Sequence, residues 1–174
     1  MEVGAFRSSL ILTTDTAGLS RAADVTVQTI SPGASFSAVF AIRTAPGRSG
    51  NQFISCLHDT TANQRIDLYL NSSGAVVLDV VNGGTSQASI TGGTIAVGTE
   101  AKVGISIAAN SFGLAVAGTA ATRDTSGTVP TVTRICLGHD RSGANHLFGH
   151  IISGPDGVVW DTAKTDGQLA TLTT

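Results

Sequence analysis

Along this chain apolar and polar residues alternate in short runs broken by Gly, Asn, Asp and Ser, the pattern of half-buried strands joined by tight turns. Phe36, Ala38, Phe40 and Ile42 share one parity and Ser37 and Arg43 the other, which predicts a strand with one buried face. Phe53-Ile54-Ser55-Cys56-Leu57 follows the loop Pro46-Gly47-Arg48-Ser49-Gly50-Asn51. From Arg65 to Leu70 the pattern sends Ile66, Leu68 and Leu70 inward and Arg65, Asp67 and Tyr69 outward. Asn71-Ser72-Ser73-Gly74 then turns the chain into a strand from Ala75 to Val81. The turn length is open by one residue, so the partner of Tyr69 is not fixed. Val103, Ile105 and Ile107, a turn at 108–111, then Phe112, Leu114 and Val116 form the clearest hairpin. Residues 131–137, 147–153 and 158–160 complete the expected strands. A single helix is expected, Asp166 to Leu172, with an Asp cap and Leu169 and Leu172 spaced to dock on the sheets. Strands so close together, with no amphipathic helix between them, predict an all-β sandwich of antiparallel sheets rather than an α/β fold.

Composition sharpens this picture. The 174 residues fit one domain with a core of its own, and only 13% are charged. The surface is therefore mainly neutral hydroxyl and amide groups, a balance that suits a virion or extracellular β-protein. A net charge of −2 with no basic patch argues against a nucleic-acid partner. No apolar run reaches the ~20 residues of a membrane span, so no membrane insertion is expected. Met-Glu-Val-Gly-Ala-Phe-Arg has no basic segment ahead of an apolar one, so no secretory signal is expected either.

The two cysteines sit in echoing contexts, Ser-Cys56-Leu-His-Asp and Ile-Cys136-Leu-Gly-His-Asp. A disulfide joining two strands and a pair of buried free thiols both fit, and assembly of a virion protein in a reducing cytoplasm, which the resemblance described next implies, would favour the thiols. No paired Cys or His spacing accompanies them, so zinc is not expected.

Gly4-Ala5-Phe6-Arg7-Ser8-Ser9-Leu10-Ile11-Leu12-Thr13-Thr14 followed by Arg21-Ala22-Ala23-Asp24 resembles a junction common in bacteriophage tail and fibre proteins. There it leads into a concanavalin A-like jelly-roll domain of the lectin and glucanase (LamG-like) kind. The texture of Phe36–Arg43, Phe53–Asp59, Asn63–Tyr69, Lys102–Ala108, Asn110–Val116, Asp124–Gly127, Arg134–Gly138 and Asn145–Ile151 is similar to that family. Leu10-Ile11-Leu12 stands where the family has Tyr-Ile-Pro, and the ending from Gly154 through Trp160 to Leu172 also departs from it. The resemblance implies residues 1–24 as an N-terminal linker or first strand and 25–174 as the jelly roll. It further implies a tail-fibre or head-fibre virion protein, assembled in the bacterial host cytoplasm and trimeric.

Catalytic chemistry is not expected. Retaining glucanases need carboxyl groups about 5–5.5 Å apart, commonly alternating on one strand, whereas the only glutamates here are Glu2 and Glu100. Asp67 and Asp79 are placed to oppose each other across a hairpin, but the sequence gives no reason for a raised pKa. No Gly-x-Ser-x-Gly elbow is present. The best binding-loop candidate is His139-Asp140-Arg141-Ser142-Gly143-Ala144-Asn145-His146, with His58-Asp59 and Asn63–Arg65 as a second loop. If the echoing strands lie side by side, the two loops should converge on one rim. Arg65, Tyr69, His139, Asp140, Arg141, Asn145 and His146 are accordingly the expected contacts to a host-surface glycan or receptor; for each, an ordinary solvated turn or subunit contact is the competing reading. His150 is expected in the core, and Trp160 fits either core or an exposed stacking surface. No cofactor is expected; Asp59, Asp140 and Asn145 offer few carboxylates for calcium. The alternative function is a structural or decoration module packing against other virion subunits.

Overall fold

The computed structural model describes residues 28–47, 49–152 and 159–174. The Arg21–Asp24 junction, the proposed linker at 1–24 and the Gly154–Gly157 turn lie outside these. Among the described residues twelve strands and one helix follow in order. They are β1 (Gln28–Thr29), β2 (Phe36–Thr44), β3 (Gln52–His58), β4 (Arg65–Leu70), β5 (Ala75–Asn82) and β6 (Thr85–Thr94). Then come β7 (Glu100–Ala108), β8 (Ser111–Val116), β9 (Thr122–Asp124), β10 (Arg134–Leu137), β11 (Gly149–Ile152), β12 (Val159–Trp160) and α1 (Asp166–Leu172). The front sheet runs β1-β10-β3-β4-β5-β6 and the back sheet β11-β2-β7-β8-β9, with β12 beside β11 on the edge of β2. Every strand pair is antiparallel.

The inner faces make one core. Phe36, Phe40, Ile42, Ile105, Phe112 and Leu114 come from the back sheet, and Ile54, Ile66, Leu68, Leu70, Leu78 and Ile90 from the front. Side chains of adjacent strand residues leave on opposite faces, so the parity read from the sequence decides which residues meet here. One bulge modifies that rule. In β3, Ile54 and Ser55 together oppose Leu68 of β4, and the register shifts between Phe53 and Ser55. The bulge lets both Ile54 and Leu57 join the core and turns Cys56 outward with Asp67.

The expectation of a single buried face on β2 is corrected. Ser37, Val39 and Ala41 are as buried as the core residues between them, because the C-terminal segment covers the outside of the back sheet. Ser37 Oγ accepts from Lys164 N at 2.8 Å, and Ser106 Oγ donates to Lys164 O at 2.9 Å. Leu169 is fully buried above Gly104, where an added Cβ would lie 2.9 Å from Leu169 Cδ1 and 2.8 Å from Thr173 Cγ2. The small residues of these strands are what lets the helix sit close.

Seven residues are too few to hold a helix in water unaided, so α1 depends on this docking and on its cap. The cap is Thr165 rather than the expected Asp166, in a reciprocal capping box with Gln168. Asp166, in the first turn, instead pairs with Arg123 Nε at 2.7 Å. Three strands escaped the sequence reading: the two-residue β1, β6, rich in Ser, Thr and Gly with an exposed outer face, and the three-residue β9. His150 is half-buried on β11 beside Arg43, not in the core.

Leu169→Ala should lower unfolding stability by about 2–4 kcal/mol, measured by urea denaturation. Gly104→Val should release α1 while leaving the two-sheet core folded, seen as loss of amide-exchange protection confined to 168–174.

Candidate functional site

The outside of the front sheet gathers the polar chemistry. Register places Cys136, Cys56, Asp67, Asp79 and Ser89 in one cross-strand row. A neighbouring row holds Phe53, Tyr69, Val77 and Thr91, and a third Arg134, His58, Arg65 and Val81. Tyr69 therefore lies between Phe53 and Val77, which settles the partner its turn left open. Its ring stacks on Phe53, centroids 5.2 Å apart and planes inclined at 21°. Its hydroxyl donates to Asp79 Oδ2 at 2.8 Å, and Ser89 Oγ donates to Asp79 Oδ1 at 2.6 Å. Burial, and then the Asp79 carboxylate beside it, push the Tyr69 hydroxyl above its ordinary pKa, so it stays a donor. Ser89 and Thr91 are exposed, and Tyr69 and Asp79 half-buried, so this part of the face is within reach of solvent.

Asp67 and Asp79 do oppose each other. Asp67 is buried, and burial pushes its carboxyl above the usual range although the Cys56 thiol and the Arg65 guanidinium both hold it down. The sequence offered no ground for that shift; the cause is the position of Asp67 in the middle of the row. Arg65 Nε donates to Asp67 Oδ2 at 2.9 Å and Arg65 NH1 donates to the Ala62 carbonyl, so this guanidinium is held within its own hairpin.

The expected convergence of loops is corrected in one respect. The echoing strands β3 and β10 are neighbours, but antiparallel, so residues 59–64 and 139–146 leave opposite ends of them. Loop 139–146 instead bends back: Asn145 O accepts from Phe53 N at 2.9 Å, and Arg141 comes close enough to His58 to oppose its protonation. Loop 139–146 thus reaches back to the β3 end from which residues 59–64 depart, by way of His58. The loop also crosses from the front sheet to the back, from β10 to β11.

Within it the expected contact residues divide. Asp140 Oδ1 accepts from Ser142 N, Ser142 Oγ and Ala144 N at 2.8, 2.6 and 2.9 Å, and Oδ2 from Asn145 Nδ2 at 2.6 Å. Burial alone would raise its pKa, but these four donors outweigh burial and hold the carboxyl below the ordinary value. Asp140 and Asn145 thus shape the loop. Asp59 does the same for its own loop, accepting from Thr61 N and Oγ1 at 2.8 and 2.7 Å, which explains the shared His-Asp echo. His139 is buried, its Nδ1 donating to Asp140 O at 2.7 Å, and its ring lies 6.2 Å from that of His146. Arg141 and Arg134 are exposed beside His58. Among the predicted contacts, Arg65 and Tyr69 stand on the face, and Arg141 and His146 are on its rim. Phe53, Asp79, Ser89 and Arg134 were missed, because only the register assembles them.

His58 gives no nucleophilic dyad. Thr60 N donates to its Nδ1 at 3.0 Å, which puts the ring proton on Nε2, 3.3 Å from Cys136 Sγ. The nitrogen facing sulfur is therefore a donor and cannot take the thiol proton. Burial, then Arg141 and Arg134, hold the His58 pKa down. Among the described residues no group of three His, Cys, Asp or Glu side chains is placed to hold a metal ion. Trp160 is half-buried, with Lys164 Nζ 5.1 Å from the centre of its ring, in a shallow groove of about 360 Å³ beside α1.

Against known structures, CBM40 of the Ruminococcus gnavus IT-sialidase, bound to α2,3-sialyllactose, superposes with a TM-score of 0.64 at 18% identity, over 80% of this chain and 83% of that one. A heptameric SAP-like pentraxin from Limulus polyphemus gives 0.61 at 18% identity, over 84% and 73%. Domains LG4-5 of the mouse laminin α1 chain give 0.52 at 16% identity, over 76% and 35%. The fold is a concanavalin A-like jelly roll. This jelly roll is shared with carbohydrate-binding modules, pentraxins and laminin domains, and at these identities the likeness concerns the fold alone. No protein-family profile matches the sequence, and no curated protein is similar to it.

Two outcomes follow from this geometry. Burial, then Arg141 and Arg134, hold the His58 pKa in the fold below its ordinary value of 6.5. Its contribution to stability should be full above that pH and diminish as pH falls through it, and His58→Gln should flatten the urea midpoint between about pH 5 and 7. Asp140→Ala should abolish exchange protection at Ser142 and Ala144 while β10 and β3 stay protected.

Proposed function

We propose that this jelly roll is a non-catalytic glycan-binding module, and that the outside of the front sheet, rimmed by loop 139–146, is where the glycan sits. The observation that carries the reading is the Phe53–Tyr69 stack with its Asp79 and Ser89 partners on a solvent-accessible face. An aromatic ring offers an apolar surface to the C–H face of a pyranose, and carboxylate and hydroxyl groups beside it match sugar hydroxyls. The CBM40 module bound to sialyllactose lends support through the shared fold. The opposed Asp67 and Asp79 do not argue for hydrolysis. Asp67 Oδ1 is sealed from solvent, its Oδ2 is bound to Arg65, and both Asp79 oxygens already accept hydrogen bonds. Hydrolysis needs two carboxyl groups within reach of the glycosidic bond, and the buried Asp67 is not within reach.

The finer part of the proposal is biological. The N-terminal junction resembles those of phage fibre proteins, so we place the module in a virion tail or head fibre, as a trimer attaching to a host-surface glycan. Weak single sites then act together, because linkage within a trimer multiplies modest affinities. A module that only packs against other virion subunits is the competing outcome.

A glycan array, followed by NMR titration of the hits, tests this. Tyr69→Ala and Asp79→Asn should each weaken binding about tenfold, the scale of one lost stacking or hydrogen-bond interaction, with unchanged circular dichroism. Arg141→Ala and His146→Ala should weaken it less, from the rim. Absence of binding by the wild-type trimer to any glycan or host cell would overturn the proposal and favour the packing role.

A further inference from the structure

We propose that Cys56 and Cys136 are the two halves of a reversible cross-strand disulfide that staples β3 to β10 beneath loop 139–146. The inference is independent of the glycan reading. The two residues are direct register partners in adjacent antiparallel strands. Both are among the most buried residues of the chain, and both are free thiols here. The β3 bulge is what brings them together, since without it Cys56 would share the inward face of Ile54.

The backbone defines the kind of pair. Gly138 N donates to Ile54 O at 2.9 Å, two steps along the same register, so Cys136 and Cys56 occupy a hydrogen-bonded position. Opposed Cα atoms there lie about 5.5 Å apart, within the roughly 4.4–6.8 Å that a disulfide spans. The Cβ atoms of such a pair are wider than the ~3.8 Å a relaxed bridge prefers. Closing the bond draws the strands together locally, and a strained bridge is the more easily reduced kind. The bond links positions 80 residues apart (136 − 56), so it removes much freedom from the unfolded chain.

The chemistry balances with a small disulfide such as oxidised glutathione as the oxidant. One cysteine thiolate attacks a glutathione sulfur and expels a glutathione thiolate, leaving a mixed disulfide. The second cysteine thiolate then attacks the protein-side sulfur, the Cys56–Cys136 bond forms, and the second glutathione leaves. The two thiols lose two electrons and two protons, which end on two reduced glutathione molecules. In the closed fold this is slow, because burial pushes both thiols above their ordinary pKa, and the Arg141 backbone amide at Cys56 offsets only part of that rise. Oxidation therefore proceeds while the chain folds or while loop 139–146 is lifted.

The test is to unfold and reduce the full chain, refold it in a buffer of reduced and oxidised glutathione, alkylate, and weigh it. The expected product is a monomer lighter by two hydrogen atoms, with Cys56 and Cys136 peptides linked and a urea midpoint above that of the reduced protein. Cys136→Ser should fold, carry no such link and show no midpoint difference between oxidising and reducing buffer. A second arm keeps the protein folded, adds urea below the midpoint and follows thiol loss, which should track exchange at Ser142 and Ala144. Recovery of two free thiols, of mixed glutathione adducts or of intermolecular dimers would overturn the proposal. So would an internally linked monomer that has lost its β-sheet circular dichroism.

Discussion

A residue on β4 or β5 cannot enter the core without sending both chain neighbours to the other side of the sheet, and this two-residue pleat controls the molecule. Ile66, Leu68 and Leu70, together with Val76, Leu78 and Val80, are all fully buried. Once they commit inward, Arg65, Asp67, Tyr69 and Asp79 have no choice but the outer face. A slip of one residue in this pair would bury two aspartates and an arginine against Phe112 and Leu114. The desolvation of those charges is what fixes the register, so the polar face is a consequence of how the core is made.

The two outer faces of the sandwich have opposite fates, and side-chain size separates them. The back sheet presents Ser37, Ala41, Gly104, Ser106, Gly113 and Ala115, flat enough for α1 and the turn at Lys164 before it to lie close to the backbone. The front sheet presents Tyr69, Asp79, Arg65 and Phe53, which stand too tall and too polar for a short helix to cover. Low charge and plentiful Gly, Ala and Ser, read from composition as a neutral surface, are in part the signature of this second, concealed interface.

The strands that carry large apolar residues were readable from alternation, because each such residue has to face the core. β6 was not, since a sheet edge with Ser, Thr and Gly outside needs only Ala88 and Ile90 inside. The helix was foreseen, but not its Thr165 cap, because Thr165 and Asp166 are both competent capping residues and only the path of the chain chooses between them. Of the candidate site, Arg65 and Tyr69 followed from parity alone. Their partners Phe53, Asp79 and Ser89 depend on register across three strands, which no local pattern contains. The Cys-Leu-His-Asp echo correctly marked adjacent strands. Its misleading part was direction: similar sequences in antiparallel neighbours put their following loops at opposite ends.

That reversal also explains why loop 139–146 is built as it is. A loop that merely joined β10 to β11 would need little internal order. One that folds back over its own strand brings backbone amides away from both sheets, and each needs an acceptor. Asp140 supplies it, gathering Ser142, Ala144 and Asn145 on a single carboxylate. With its acidic side chain occupied inward, the loop turns its basic member, Arg141, outward beside Arg134 and the neutral His58. The face thus grades from guanidinium groups at the β10 edge to carboxylate and hydroxyl groups at β5 and β6. Donors lie at one end of the rows and acceptors at the other, so the face is electrostatically asymmetric along its length.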